Sequence, residues 1–244
     1  MKLHKQLLLL AGAGLLLSGT ALIAAEKSAR SVLDNAYKYI GQMDKYAFDA
    51  VVSGKDVKDG KTYRQTVSVK VDRPDRLRVD TRGNMKNRSV YIDDGLFTLM
   101  DHRFNYYGQL KVPKTIDGAL DYIFNRYGIT APLASLIYSD MQKRAKFTRG
   151  KYFGTVNVAG VECDYIAFRN KGGEVHIWIA TGDKPLVKAY SIIDTHTAGK
   201  PRKNTSIKWH THPNISSSNF IFSAPKGASR ISIEPACKLG RERL

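Results

Sequence analysis

The sequence predicts an α+β fold, one curved antiparallel sheet of about eleven strands with helices at its start and in its middle. Three observations carry this. Val67, Val69 and Val71 alternate with polar residues, and Leu77 and Val79 resume the alternation beyond Arg73-Pro74. Asp-Gly pairs punctuate such runs, at Asp59-Gly60 and Asp94-Gly95. A period of two broken by Asp-Gly reads as strands joined by tight turns. Ile116, Ala119, Leu120, Ile123, Phe124 and Tyr127 instead follow helical spacing and form one apolar stripe.

Taken in order, the chain opens on Lys2 and Lys5, an apolar run over Leu7–Leu17, and small residues at Ser18, Gly19, Ala21, Ala24 and Ala25. This is the pattern of a secretory signal over residues 1–25, with cleavage after Ala21 or Ala25, an uncleaved anchor being the rival reading. Leu33, Ala36, Tyr37, Ile40 and Met43 then form a first helical stripe, with Ser28 or Ser31 to cap it. From Tyr46 the period changes to two and strands run to Tyr107 and beyond, with Pro74 at a strand junction or edge because it cannot donate to a ladder. Thr115 is placed to cap the middle helix, Asp117 suits its positive end, and Gly128 suits its exit. A second short helix is expected with Pro132 in its first turn and Leu133, Leu136 and Ile137 on one face. Strands return from Lys151 through KYFGTVNV, VECDYIAFR, EVHIWIA, LVKAYSIID, TSIKWHTH and NFIFSAP. No linker divides residues 26–230, which read as one domain, and residues 231–244 read as a loosely ordered basic tail.

The chain has 244 residues and a formal charge of +17, about +15 once Lys2 and Lys5 are removed. Export removes nucleic acid as the partner for that charge and leaves anionic lipid head groups and acidic envelope polymers. Lys143, Arg144, Lys146, Arg149 and Lys151 cluster where they could rim an opening and make peripheral contact with an anionic membrane surface. Cys163 and Cys237 sit in a compartment that permits a disulfide, which would close a long loop worth about 4 kcal/mol. Their pairing stays open, since one falls in a strand and the other in the tail.

No catalytic residue, metal site or cofactor is assigned. His210 and His212 share a strand face and could reach His196 or Asp194, but no ligand motif supports them. Asp93 and Asp94 precede Gly95 and read as turn residues. Tyr91, Phe97, Phe104, Tyr106, Tyr107, Trp178 and Trp209 lie in strands, where they can fill a core or line a concave pocket.

Val71-Asp72-Arg73-Pro74-Asp75-Arg76-Leu77-Arg78 resembles the strand–Arg-Pro junction of the LolA and LolB lipoprotein carriers. Tyr91–Leu99 is similar to the hairpin that follows it there, and Asn219–Gly227 resembles their closing strand. The run Ile116-Asp117-Gly118-Ala119-Leu120-Asp121-Tyr122-Ile123-Phe124-Asn125-Arg126-Tyr127-Gly128-Ile129 is similar to a motif of an uncharacterised family of exported bacterial proteins related to those carriers. The resemblance implies a LolA-like unclosed barrel with a helical lid over an apolar cavity for acyl chains. It implies that Arg73 latches the lid through lid backbone carbonyls. Leu120, Ile123, Phe124, Leu133, Leu136 and Ile137 would line the lid, and Phe97, Leu99, Tyr106 and Trp178 the sheet. The expected function is a periplasmic, non-enzymatic carrier for a lipid or lipoprotein acyl chain. The alternative is an envelope lipid sensor or scaffold that binds a protein partner.

Overall fold

The computed structural model describes residues 27–55, 60–84, 86–147 and 149–236. The signal segment, Asp59 and Cys237 lie outside the described residues, and Cys163 is a buried free thiol.

Helix α1 spans Ala29–Gly41 and is opened by a reciprocal box in which the side chains of Ser28 and Ser31 accept from each other's backbone N–H. Six strands follow: β1 (Lys45–Lys55), β2 (Thr62–Asp72), β3 (Arg76–Gly83), β4 (Asn87–Asp93), β5 (Leu96–Asp101) and β6 (Tyr106–Lys111). Helix α2 (Ile116–Tyr127) is capped by the Thr115 hydroxyl and ends at Gly128, whose φ of 66° lies in the left-handed region. The segment beyond it holds a 3₁₀ turn at Ala134–Leu136 and a one-turn helix α3 (Met141–Arg144). Leu133 stands in front of that turn at φ 59°, so the expected second helix is broken into two pieces. Strands β7 (Arg149–Val158), β8 (Val161–Asn170), β9 (Gly173–Ala180), β10 (Val187–Asp194) and β11 (Arg202–His210) come next, and β12 (Ser229–Arg230) is last.

All twelve strands form one sheet in the order β12-β6-β5-β4-β3-β2-β1-β11-β10-β9-β8-β7. The two hairpin runs, β1–β6 and β7–β11, are joined by the long β1–β11 pairing, which sets Phe48 opposite Trp209 and Ala50 opposite Ile207. The ends β7 and β12 do not pair with each other, so the barrel is unclosed. Every pairing is antiparallel except β12 on β6.

Alternation assigns the faces. Tyr46, Phe48, Val67, Val69, Leu77, Val79, Ile92 and Phe97 point inward and are buried. Helix α2 lays Ile116, Ala119, Leu120 and Ile123 on this half of the sheet, where all four are buried. Phe124, expected on the same stripe, is 54% exposed and faces solvent.

The segment Asn219–Gly227 is not the closing strand the alternation suggested. It crosses the outer face of the first half, where Phe222 packs on Tyr91 and Tyr107 and the Arg76 guanidinium sits over the Phe220 ring. The chain then rounds the β6 edge. The Ile231 N–H donates to the Tyr107 carbonyl and the Ala236 N–H to the Arg126 carbonyl at the end of α2. Gly108 is the notch that admits this return, because a Cβ there would stand 2.4 Å from Ile233 Cγ1. Among the described residues no helix is long and apolar enough to cross a membrane.

Candidate functional site

Several bonds that fasten the helical cover to the sheet meet at the turn between β2 and β3. Arg73 follows β2 in the turn that carries Pro74, and its side chain is only 11% exposed. Its Nε donates to the Met43 carbonyl just beyond α1 at 3.1 Å, and one Nη donates to the Ile137 carbonyl at 2.7 Å. The same nitrogen reaches the Tyr46 hydroxyl, which donates to the Leu136 carbonyl at 2.8 Å. The other Nη lies 3.8 Å from Asp117 in the first turn of α2. Asp117 in turn accepts from the Ser139 backbone N–H. The planar guanidinium thus ties α1, α2 and the 3₁₀ segment to one sheet turn, with a fork of donors that an ammonium lacks. Burial drives the Tyr46 phenol pKa upward, opposed by the nearby Arg73 charge, so the phenol stays neutral and free to donate.

Further bonds hold the cover to itself. Arg30 of α1 donates to the Ala145 and Gln142 carbonyls. Arg144 pairs with both oxygens of Asp121 and lies 4.1 Å above the Tyr138 ring, while Tyr138 donates to Asp121. Burial and then the Asp121 bond raise the Tyr138 pKa.

A cavity of about 170 Å³ lies under this cover, on the second half of the sheet. Its roof is Tyr37 of α1 with Ser135, Leu136, Met141 and Phe147, and its floor is Val175 and Ile177 of β9 with Val187, Tyr190 and Ile192 of β10. Burial raises the Tyr37 pKa to about 12, and burial likewise raises Tyr190. A hollow of about 150 Å³ lined by aliphatic and aromatic groups accepts benzene. This one is of similar size. Ile192, 41% exposed, stands at the mouth.

Of the residues expected from sequence to form a site, Arg73 is at the latch and Leu136 at the cavity. Ile137 supplies the carbonyl that Arg73 holds. Phe97, Leu120 and Ile123 are buried in the core of the first half, with Leu99 and Leu133 packed against it. Tyr106 is exposed at the sheet edge, opposite Ser229 of β12. Trp178 is on the wrong face. It stacks on Tyr165, and its neighbours Ile177 and Ile179 are the inward pair. The floor residues Val175, Ile177, Tyr190 and Ile192 were missed, although the aliphatic alternation over 175–179 marks the first two. Ring size drew attention to Trp178, whereas the run of small aliphatics identifies the buried face.

His210 bonds Asp49 at 3.0 Å, and no group of His, Cys, Asp and Glu among the described residues could hold a metal. Ser89 lies between Asp80 and His102, at 2.5 and 2.7 Å. The carboxylate here touches the hydroxyl rather than the imidazole, and Ser89 is buried. That is a tie between β3 and β4, not a nucleophile with its base and orienting acid.

An unclosed antiparallel sheet bearing a latched helical cover defines a LolA-like open barrel. Residues 29–234 match the family described as "Predicted periplasmic protein (DUF2092)", and the chain belongs to it, which places it in the periplasm. No curated protein matches the sequence. Among solved structures, an uncharacterised conserved protein from Thermus thermophilus is similar over 84% of this chain and 98% of its own, at 13% identity and a TM-score of 0.50. The Mycobacterium tuberculosis lipoprotein LppX covers 77% of this chain and 98% of its own, at 11% identity and a TM-score of 0.46. A LolA superfamily protein from Nitrosomonas europaea covers 80% and 98%, at 7% identity and 0.37.

Proposed function

We propose that the chain is a periplasmic binding or carrier protein for a lipophilic, acylated ligand, acting without catalysis. One observation carries this reading: an apolar cavity lies under a helical cover whose tie to the sheet converges on Arg73. Each methylene taken from water contributes about 0.8 kcal/mol, so a chain that enters under a lifted cover is held without matched polar contacts. The first-half residues Phe97, Leu99, Leu120 and Ile123 become ligand-facing only if α2 moves with the rest of the cover.

Native mass spectrometry of the protein gently released from bacterial envelopes tests this. A retained lipid mass that is lost on delipidation and regained from added lipid is the expected result. A protein that neither retains nor regains lipid, and instead carries a stoichiometric polypeptide, overturns the carrier reading in favour of a sensor or scaffold.

A further inference from the structure

The outer face of the sheet is treated differently in its two halves. The C-terminal segment lies across the outer face of the first half. On the second half the Phe153 ring and the Arg149, Lys151 and Arg169 side chains are exposed, and the Tyr165 and Trp178 rings are half-buried. Register aligns them in three rows. The first is Phe153, Tyr165, Trp178 and Ala189; Phe153 stacks on Tyr165 at 4.7 Å and Tyr165 on Trp178 at 5.0 Å. The next is Lys151, Ala167 and His176, and the third is Arg149, Arg169, Glu174, Ile193 and Arg202. Phe153 is 46% exposed and Val156, further along β7, is 38% exposed. The carboxylate in these rows, Glu174, is already engaged by Arg169 and His176, which hold its pKa down.

We propose that this outer face of β7–β9 is a docking surface for an anionic lipid bilayer. Aromatic rings with polar tips, set beside a row of cations, match the interfacial zone of a membrane. There Tyr and Trp sit at head-group depth and Lys and Arg reach phosphates. The net charge of +17 draws the whole molecule to such a surface, and these rows give it an orientation. The Lys151 ammonium lies 5.0 Å from the Phe153 ring centre, so the charge and the ring arrive together. A groove of about 310 Å³ on this face is lined by Arg149, Lys151 and Arg169 beside Phe153, which sets three cations where lipid phosphates would lie. The inference does not depend on what the cavity holds. Vesicle binding and lipid retention can each fail while the other stands.

Sedimentation with vesicles of phosphatidylcholine, alone or mixed with phosphatidylglycerol, tests it. The protein is expected to pellet with the anionic vesicles and to be released by salt. Arg149→Gln and Lys151→Gln are each expected to lower partitioning about fivefold at low salt. Phe153→Ser should weaken it further, while Phe104→Ser, at an exposed ring elsewhere, should leave it unchanged. Near-ultraviolet circular dichroism confirms that each variant is folded. Equal partitioning of Phe153→Ser and Phe104→Ser, or no binding to anionic vesicles, overturns the proposal. So does binding to polyglutamate but not to vesicles in a Phe153-dependent manner, which would make this a protein-docking face.

Discussion

Arg73 and Ile137, 64 positions apart in the chain, are joined by a 2.7 Å hydrogen bond from guanidinium to backbone carbonyl. Met43 and Leu136 are drawn into the same knot, the first directly and the second through the Tyr46 hydroxyl. Replacing Arg73 by Leu leaves the Met43 and Ile137 carbonyls without this donor in a poorly hydrated place, a loss of about 3 kcal/mol. Arg73→Lys keeps charge but serves fewer acceptors at once. Thermal unfolding should rank wild type above Arg73→Lys above Arg73→Leu, and lipid exchange should speed up in the reverse order. Wild-type exchange in Arg73→Leu would remove the latch from the account.

Ile192 offers a way to block the cavity without disturbing the core. It faces the hollow but is 41% exposed, so Ile192→Trp can place its ring across the mouth without overpacking. Binding of a fluorescent fatty-acid analogue should fall at least about tenfold, a change of about 1.4 kcal/mol. The melting temperature should stay within about a degree or two, as for substitutions outside the core. An unchanged affinity would show that the chain enters elsewhere. Leu136→Ala, at a fully buried roof position, should cost about 2–5 kcal/mol and enlarge the hollow.

Much of the sheet could be read from alternation, because a register error would turn every inward valine of β2 to solvent. The helix caps at Ser28 and Thr115 were legible for a similar reason: each rests on hydroxyl–amide bonds between residues three apart. What could not be read was which buried residues of the concave side line the hollow. That depends on which helix lies over which strands, and pairwise spacing does not encode it. Phe124 shows the limit. It continues the apolar stripe of α2, but the stripe is wider than the contact, and its last ring is left outside. The path of Asn219–Gly227 was hidden too. Alternating aromatics can pack across the outside of a sheet as readily as extend it, and here Phe220 and Phe222 do the former.

Buried phenols set an alkaline limit on the fold. Tyr37 ordinarily titrates near 10.0, and burial raises it to about 12 in the folded chain; Tyr46 is raised as well, also by burial. The unfolded chain sheds these protons first. Stability is therefore intact below pH 10 and falls as pH climbs through the folded values. For Tyr37 the gap is worth about 3 kcal/mol. Tyrosinate absorbance followed with circular dichroism should show a late ionising class that appears together with unfolding. Tyr37→Phe should move that transition to higher pH. Alkaline unfolding at the wild-type pH in Tyr37→Phe would mean that another group governs it.

The latch can be tested without touching its donors, through Gly41. This residue ends α1 at the point where the cover passes beneath it, and a Cβ built there would stand 2.1 Å from the Ser139 carbonyl oxygen. The obstacle is backbone, so it cannot be relieved by rotating a side chain, and either α1 or the segment around Ser139 must shift. Ser139 is bonded to Asp117, and Ile137 two residues earlier accepts from Arg73, so the shift strains the same knot from the far side. Gly41→Ala would ordinarily help a helix by about 1 kcal/mol. Here it should cost about 1–3 kcal/mol instead, as overpacking does. It should also raise amide exchange at Ile137 and Ser139 ahead of the rest of the chain. Combined with Arg73→Leu, it should add much less than its single effect, because both changes release one contact. Full additivity would show that the close approach at Gly41 and the arginine knot hold the cover independently.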